Sequence, residues 1–246
     1  IYQFYFQDDW KATSRLTVNL GVRYELVKPY QEVSDKYSNF VVDPGPLFGK
    51  YVLAAEASRY GYNRSLVGTD YNNVAPRVGV AYQLTPKTVV RSAFGVFFGR
   101  ADTLGLSGHP TNNPPFFIRS NLVGDQIQPN FILAAGFPAG IHDPATVVNP
   151  QVNSFPRSFP TPYVLQWNLN VQRELPGGLV AQLGYVGAQS HKLYDVYDVN
   201  QPSPGPGSVQ SRRPIKGVSN VRLNAPVTNA NYNSLFANSK SGTRTG

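Results

Sequence analysis

Asp8 and Asp9 are the first residues that could do chemistry, since two carboxylates of unequal pKa can serve as acid and base on one substrate. They are neighbours in YQFYFQDDW. Adjacent side chains of a strand point to opposite faces, so these two cannot meet the same substrate. A strand end beside a turn suits them better. His109, His142 and His191 are the chain's imidazoles. They stand far apart, the first two in loop-like sequence, without the spacing of metal ligands. Solvated positions suit them, although loops that met could still unite His109 and His142. Cysteine is absent, which removes disulfides, thiol nucleophiles and cysteine metal sites. No Gly-rich phosphate loop, nucleophile elbow or His-Glu motif occurs. The expectation is no catalytic residue, no metal and no cofactor, and a protein that is not an enzyme.

One basic cluster remains: Arg212, Arg213, Lys216 and Arg222. It reads either as a surface for an anionic partner or as a solvated loop. The net charge of +8 would suit nucleic acid, but the Lys and Arg are scattered and several fall on polar strand faces. No nucleic-acid partner is expected.

What must position these groups is a set of long strands. In RLTVNLGVRYEL, Leu16, Val18, Leu20, Val22, Tyr24 and Leu26 share one parity, while Arg15, Thr17, Asn19, Gly21, Arg23 and Glu25 share the other. That is one apolar and one polar face held without a break. A soluble strand usually runs about 5–6 residues, whereas a tilted strand crossing a bilayer needs about 9–11. The length favours a membrane-spanning strand with lipid on the apolar side and a wet lumen on the other.

The same unit recurs. Strands are expected at about 2–10, 15–26, 74–84, 89–98, 163–174, 179–187, 193–199 and 232–238, with an interruption at Gly187–Ser190. KATS, TPKT and LPGG make short turns, and residues 27–73, 99–162 and 200–231 are expected as long irregular loops. The loop 99–162 holds 10 of the 21 prolines. A loop of that size counts against a compact soluble domain, but outer-membrane barrels combine short periplasmic turns with long external loops. All short turns fall on one side and all long loops on the other. Residues Leu16, Val18, Leu20, Val22, Val78, Val80, Leu165, Trp167, Leu169 and Leu183 are therefore expected to face lipid. Arg15, Arg23, Arg77, Arg91, Gln166 and Asn168 are expected to face the lumen, either lining a pathway or pairing with neighbours such as Glu25.

Composition fits an all-β, antiparallel transmembrane barrel segment of seven or eight long strands. Charged residues are 15%, hydrophobic residues 41%, and the aromatics are mostly Tyr (15) and Phe (14), the types that ring a barrel at both membrane faces. No run approaches the roughly 20 apolar residues of a transmembrane helix. The chain lacks Met and ends in SKSGTRTG without the pattern of a closing strand, so a piece of a longer protein is expected.

FQDDWKATSRLTVNLGVRYEL, NNVAPRVGVAYQLTPKTVVRSAFGVFFGR, PYVLQWNLNVQRELPGGLVAQLGYVGAQSHKLY and NYNSL together resemble the barrel of TonB-dependent outer-membrane receptors of the Oar-like type, which carry a carboxypeptidase-regulatory-like domain at their N-terminus. The segment after Leu235 departs from that pattern. The resemblance implies a barrel of 22 strands with a plug, of which this chain would supply about a third, the plug and N-terminal domains lying elsewhere. It implies residence in the bacterial outer membrane, contact with outer-membrane lipid and lipopolysaccharide, coupling to TonB through parts not present, and uptake of a large extracellular substrate. A non-transporting adhesin or display barrel is the main rival, and a soluble β-sandwich with Val18 and Leu20 buried is another.

Overall fold

A computed structural model describes residues 1–99, 110–119, 132–137, 143 and 146–241. Ten strands occur among them: β1 (Tyr2–Lys11), β2 (Leu16–Leu26), β3 (Ser38–Phe40), β4 (Tyr51–Leu53), β5 (Val74–Thr85), β6 (Thr88–Phe98), β7 (Val152–Ser154), β8 (Tyr163–Glu174), β9 (Leu179–Asp198) and β10 (Val221–Ser241). Eight form one sheet in the order β1-β2-β5-β6-β8-β9-β10-β7, and β3 pairs with β4 separately. Every neighbouring pair in the large sheet is antiparallel except β10 with β7, which is parallel. No described helix is long and apolar enough to cross a membrane, and the sheet is an open arc of barrel wall.

The hairpin turns follow from local chemistry. Thr13 closes the first by exchanging backbone hydrogen bonds with Leu16 and accepting the Arg15 N–H on its hydroxyl at 3.2 Å. At the β8–β9 turn Gly177 and Gly178 take φ of 79° and 75°, a region that glycine enters without steric cost. Alternation then fixes the register, because a slip of one residue would send every apolar side chain to the opposite face. Leu20 lies opposite Val78, Val78 opposite Phe94 and Phe94 opposite Trp167.

The structure departs from the sequence reading in the last third of the chain. β9 runs unbroken through Gly187–Ser190, and its irregularity lies further on, at Lys192, whose φ is +56°. β10 begins at Val221, so residues 221–231, expected as loop, are strand. Its upper part pairs with the extended end of β9 on one side and with β7 on the other. In VRLNAPVTNAN the apolar Val221, Leu223, Ala225 and Val227 do alternate with Arg222, Asn224, Pro226 and Thr228, but Pro226 and the polar run after Val227 disguise the strand.

The long connections also fold. Residues Ala54–Tyr60 form a 3-10 helix between β4 and β5, ended by Gly61 in the left-handed conformation. Tyr37, Val41, Val52, Ala54, Ala57, Tyr62 and Leu66 make one buried cluster. Phe40, Val152, Ile215, Val218 and Val221 make a second, drawn from all three connections. Val67, Phe155 and Phe159 make a third, against Tyr194 of β9. The packed core of the described residues thus sits in a cap at the loop end of the sheet. The wall itself is uncovered: Leu20 is 48% exposed and Leu169 47%, so neither belongs to the core of a sandwich.

Candidate membrane wall, lumen surface and extracellular cap

One face of the wall carries Leu16, Val18, Leu20, Val22, Val78, Val80, Leu165, Trp167, Leu169 and Leu183, brought into adjacent rows by direct cross-strand pairing. None of them is buried. The Trp167 indole lies flat over Gly187 on the next strand, where a Cβ would stand within 2.3 Å of it. Glycine there lets the ring lie along the wall instead of standing off it. Asp8 is on this face too, directly opposite Leu20 and not at the turn.

The other face is polar. Arg23 forms an ion pair with Glu25 at 2.8 Å and donates to Gln3 Oε1 at 2.7 Å. Arg91 donates to Gln172 Oε1 at 2.9 Å. Asn19 donates to Asp9, which separates Asp9 from its neighbour Asp8 as strand geometry requires. Arg77 lies 4.6 Å from the centre of the Phe97 ring, a cation–π contact, and Phe97 in turn lies over Gly95. Gly21, Gly79, Ala93 and Gly95 leave a groove of about 330 Å³ rimmed by Gln7, Asn19, Arg77, Gln166 and Asn168. Arg15 is exposed just below β2 on the same parity. Arg23 and Arg91 are thus held by neighbours within the wall, one of the two alternatives its sequence left open.

The basic cluster is taken up inside the cap. Arg213 is 8% exposed and binds Asp198 Oδ2 at 3.2 Å, the Asn200 carbonyl at 2.6 Å and Asn220 Oδ1 at 3.0 Å. Arg212 donates to the Ser203 carbonyl, and Lys216 Nζ to the carbonyls of Ser211 and Arg213 at 2.7 and 2.8 Å. Arg222 is in β10, opposite Asp198. These cations tie the connection 200–220 together, so the cluster is not an open anion-binding surface. His109 and His142 lie outside the described residues. His191 stacks on Tyr163 at 5.0 Å, and no group of potential metal ligands occurs among the described residues.

Asparagines tie the cap together, a role that nothing in their sequence context marks beyond their abundance. Asn39 donates to the Phe155 carbonyl at 2.8 Å and accepts the Phe155 N–H at 2.9 Å. Asn113 donates to the carbonyls of Ser38 and Asn153 at 2.9 and 2.8 Å and accepts the Asn153 N–H at 2.7 Å. Asn200 donates to the carbonyls of Ile215 and Ser219 and accepts the Ile215 N–H at 2.7 Å. All three are fully buried. A primary amide has the donor and acceptor of a peptide group, so each can pair with backbone where no strand is available.

A family model described as "Outer membrane beta barrel domain" matches residues 1–246. The chain belongs to that family. Its place is therefore the bacterial outer membrane. A comparison with curated protein sequences gives no match. Among solved structures, the barrel domain is similar to the siderophore receptor PirA of Acinetobacter baumannii, at 10% identity and a TM-score of 0.50, over 98% of this chain and 25% of that one. It is similar to the outer membrane transporter YddB of Escherichia coli at 12% identity and 0.50, over 97% and 21%. PirA of Pseudomonas aeruginosa aligns at 11% and 0.43, over 99% and 28%. The barrel domain thus spans about a quarter of the length of these structures, and at such identities the likeness is one of fold.

Proposed function

We propose that this barrel domain is part of the wall of a TonB-dependent receptor of the Oar-like type, one that takes a large extracellular substrate through the outer membrane. The cap would meet the substrate, the polar face would line its route, and no residue would act as a catalyst. The observation that supports this most is the sorting of the molecule into three zones: short turns, an uncovered wall with opposed apolar and polar faces, and a folded cap assembled from all three long connections. The similar structures include a siderophore receptor and an outer membrane transporter, and uptake coupled to TonB is the reading they suggest here.

The test is capture of the C-terminal domain of TonB by the purified complete protein, together with substrate accumulation in cells with and without TonB. Capture and TonB-dependent accumulation are the expected results. Surface binding that is indifferent to TonB would move the protein to the display class.

A further inference from the structure

The outer face of the wall ends, at the cap side, in a row of rings. Phe98, Tyr163 and His191 lie directly opposite one another on β6, β8 and β9, with Phe98 and Tyr163 centred 5.7 Å apart and Tyr163 and His191 5.0 Å apart. From Arg173, at the turn end of β8, to Tyr163 is a climb of about 25 Å, given roughly 3.4 Å per residue and a tilt of about 40°. That is the height of the apolar band of an outer-membrane barrel, so the rings stand at the level of the outer-leaflet headgroups.

Lys192 joins this row against the alternation. By parity it belongs to the lumen face, one residue after outward His191. On β9 the pair His191–Lys192 faces the single residue Asn229 of β10, since Leu193 pairs with Thr228 and Ser190 with Ala230. This is a β-bulge, a device that re-aims side chains at barrel rims. It sets Lys192 at φ +56°, a left-handed conformation that is unfavourable for a lysine and free of steric cost for glycine. The result places Nζ 5.6 Å from the centre of the Tyr163 ring. No described carboxylate pairs with Lys192. The same arrangement recurs at the cap end of the other side of the sheet, where Lys28 Nζ lies 5.5 Å from the ring of Tyr2.

We propose that Lys192, with His191 and Tyr163, is a binding site on the barrel's outer surface for a phosphate of the lipopolysaccharide in the outer leaflet, and that Lys28 with Tyr2 is a second site of the same kind. This rests on the barrel reading. The ammonium supplies the charge, the imidazole and phenol supply hydrogen bonds at headgroup level, and the strained bulge is retained because it turns the lysine outward.

The complete protein, folded in detergent, is incubated with lipopolysaccharide or with its dephosphorylated form, washed, and the retained glycolipid is measured. In a protein already carrying Lys28→Gln, Lys192→Gln is expected to lower retention of the phosphorylated form roughly fivefold, the size of one lysine–anionic lipid contact, and to leave the dephosphorylated form unchanged. Lys192→Gly suits the left-handed backbone, so it should hold or raise the unfolding temperature while losing the same retention. Glycine that lowers both would make the lysine structural and overturn the proposal. Equal retention of the two glycolipids, or displacement of lipopolysaccharide by millimolar inorganic phosphate or by an equal amount of phosphatidylglycerol, would overturn it as well. Failure of the barrel reading has a separate sign: the protein would not insert into vesicles or show heat-dependent mobility on gels.

Discussion

Leu169 and Asn168 are neighbours in sequence on opposite faces of β8. Leu169 is near the middle of β8, 47% exposed, with Ser92 and Tyr185 opposite it and no carboxylate in either partner position. Leu169→Arg should cost about 2–4 kcal/mol, the penalty for a cation at the midplane of a barrel's lipid face, whereas Asn168→Arg should cost little. Folding equilibria in lipid measure both. Leu20 is a poorer probe, because an arginine there would face Asp8 across the strand pair and form an ion pair. Asn39 makes the matching case in the cap. Asn39→Ala leaves the N–H and C=O of buried Phe155 unpaired, and each such group costs about 1–3 kcal/mol. Hydrogen exchange should show the Phe155 amide losing its protection while amides of β8 keep theirs.

At the scale of elements, the wall strands were legible because their hydropathy has a period of two. Each of β1, β2, β5 and β8 shows its two faces in alternate letters, and the turns between them carry Gly, Pro or Thr at positions where backbone geometry calls for them. The cap was not legible for the opposite reason. Its buried residues, such as Tyr37, Val52, Leu66 and Val152, follow no period along the chain, and the groups that tie them are Asn side chains acting as peptide surrogates. Nothing local distinguishes Asn200, fully buried, from the many asparagines that are not. The bulge at Lys192 was missed likewise: two residues opposing one is a property of the β9–β10 pair, and neither strand announces it alone.

The cap should respond to alkali as a unit. Burial, with Asp35 next in weight, pushes the Tyr37 hydroxyl up to about 12, and burial alone does the same for Tyr51, which packs edge-on against Phe40 at 5.1 Å. An unfolded tyrosine ionises near pH 10. The fold therefore favours the neutral phenols, and their contribution is complete below pH 10 and lost as pH rises toward 12. Ultraviolet titration of tyrosinate, paired with proteolysis of the cap, should show both events in that window. Cleavage that begins near neutral pH would contradict the packing described here.

For the molecule as a whole, the apolar and polar faces of one open sheet have no partner among the described residues. Residues 1–246 alone expose the outer edge of β1, the lower outer edge of β10 and an apolar face, a combination that templates association. Expressed in water this stretch should aggregate, as size-exclusion chromatography would show. A clean soluble monomer is the opposite outcome. The central claim is that the apolar face meets lipid and the polar face meets water. It is tested most directly by spin labels at successive positions from Leu165 to Gln172 in the complete protein in bilayers, read for collisions with oxygen and with a water-soluble nickel chelate. The account expects oxygen accessibility to peak at 165, 167, 169 and 171 and nickel accessibility at 166, 168, 170 and 172. Odd positions shielded from both reagents would mean that a protein core covers this face, and the wall would not be a membrane wall.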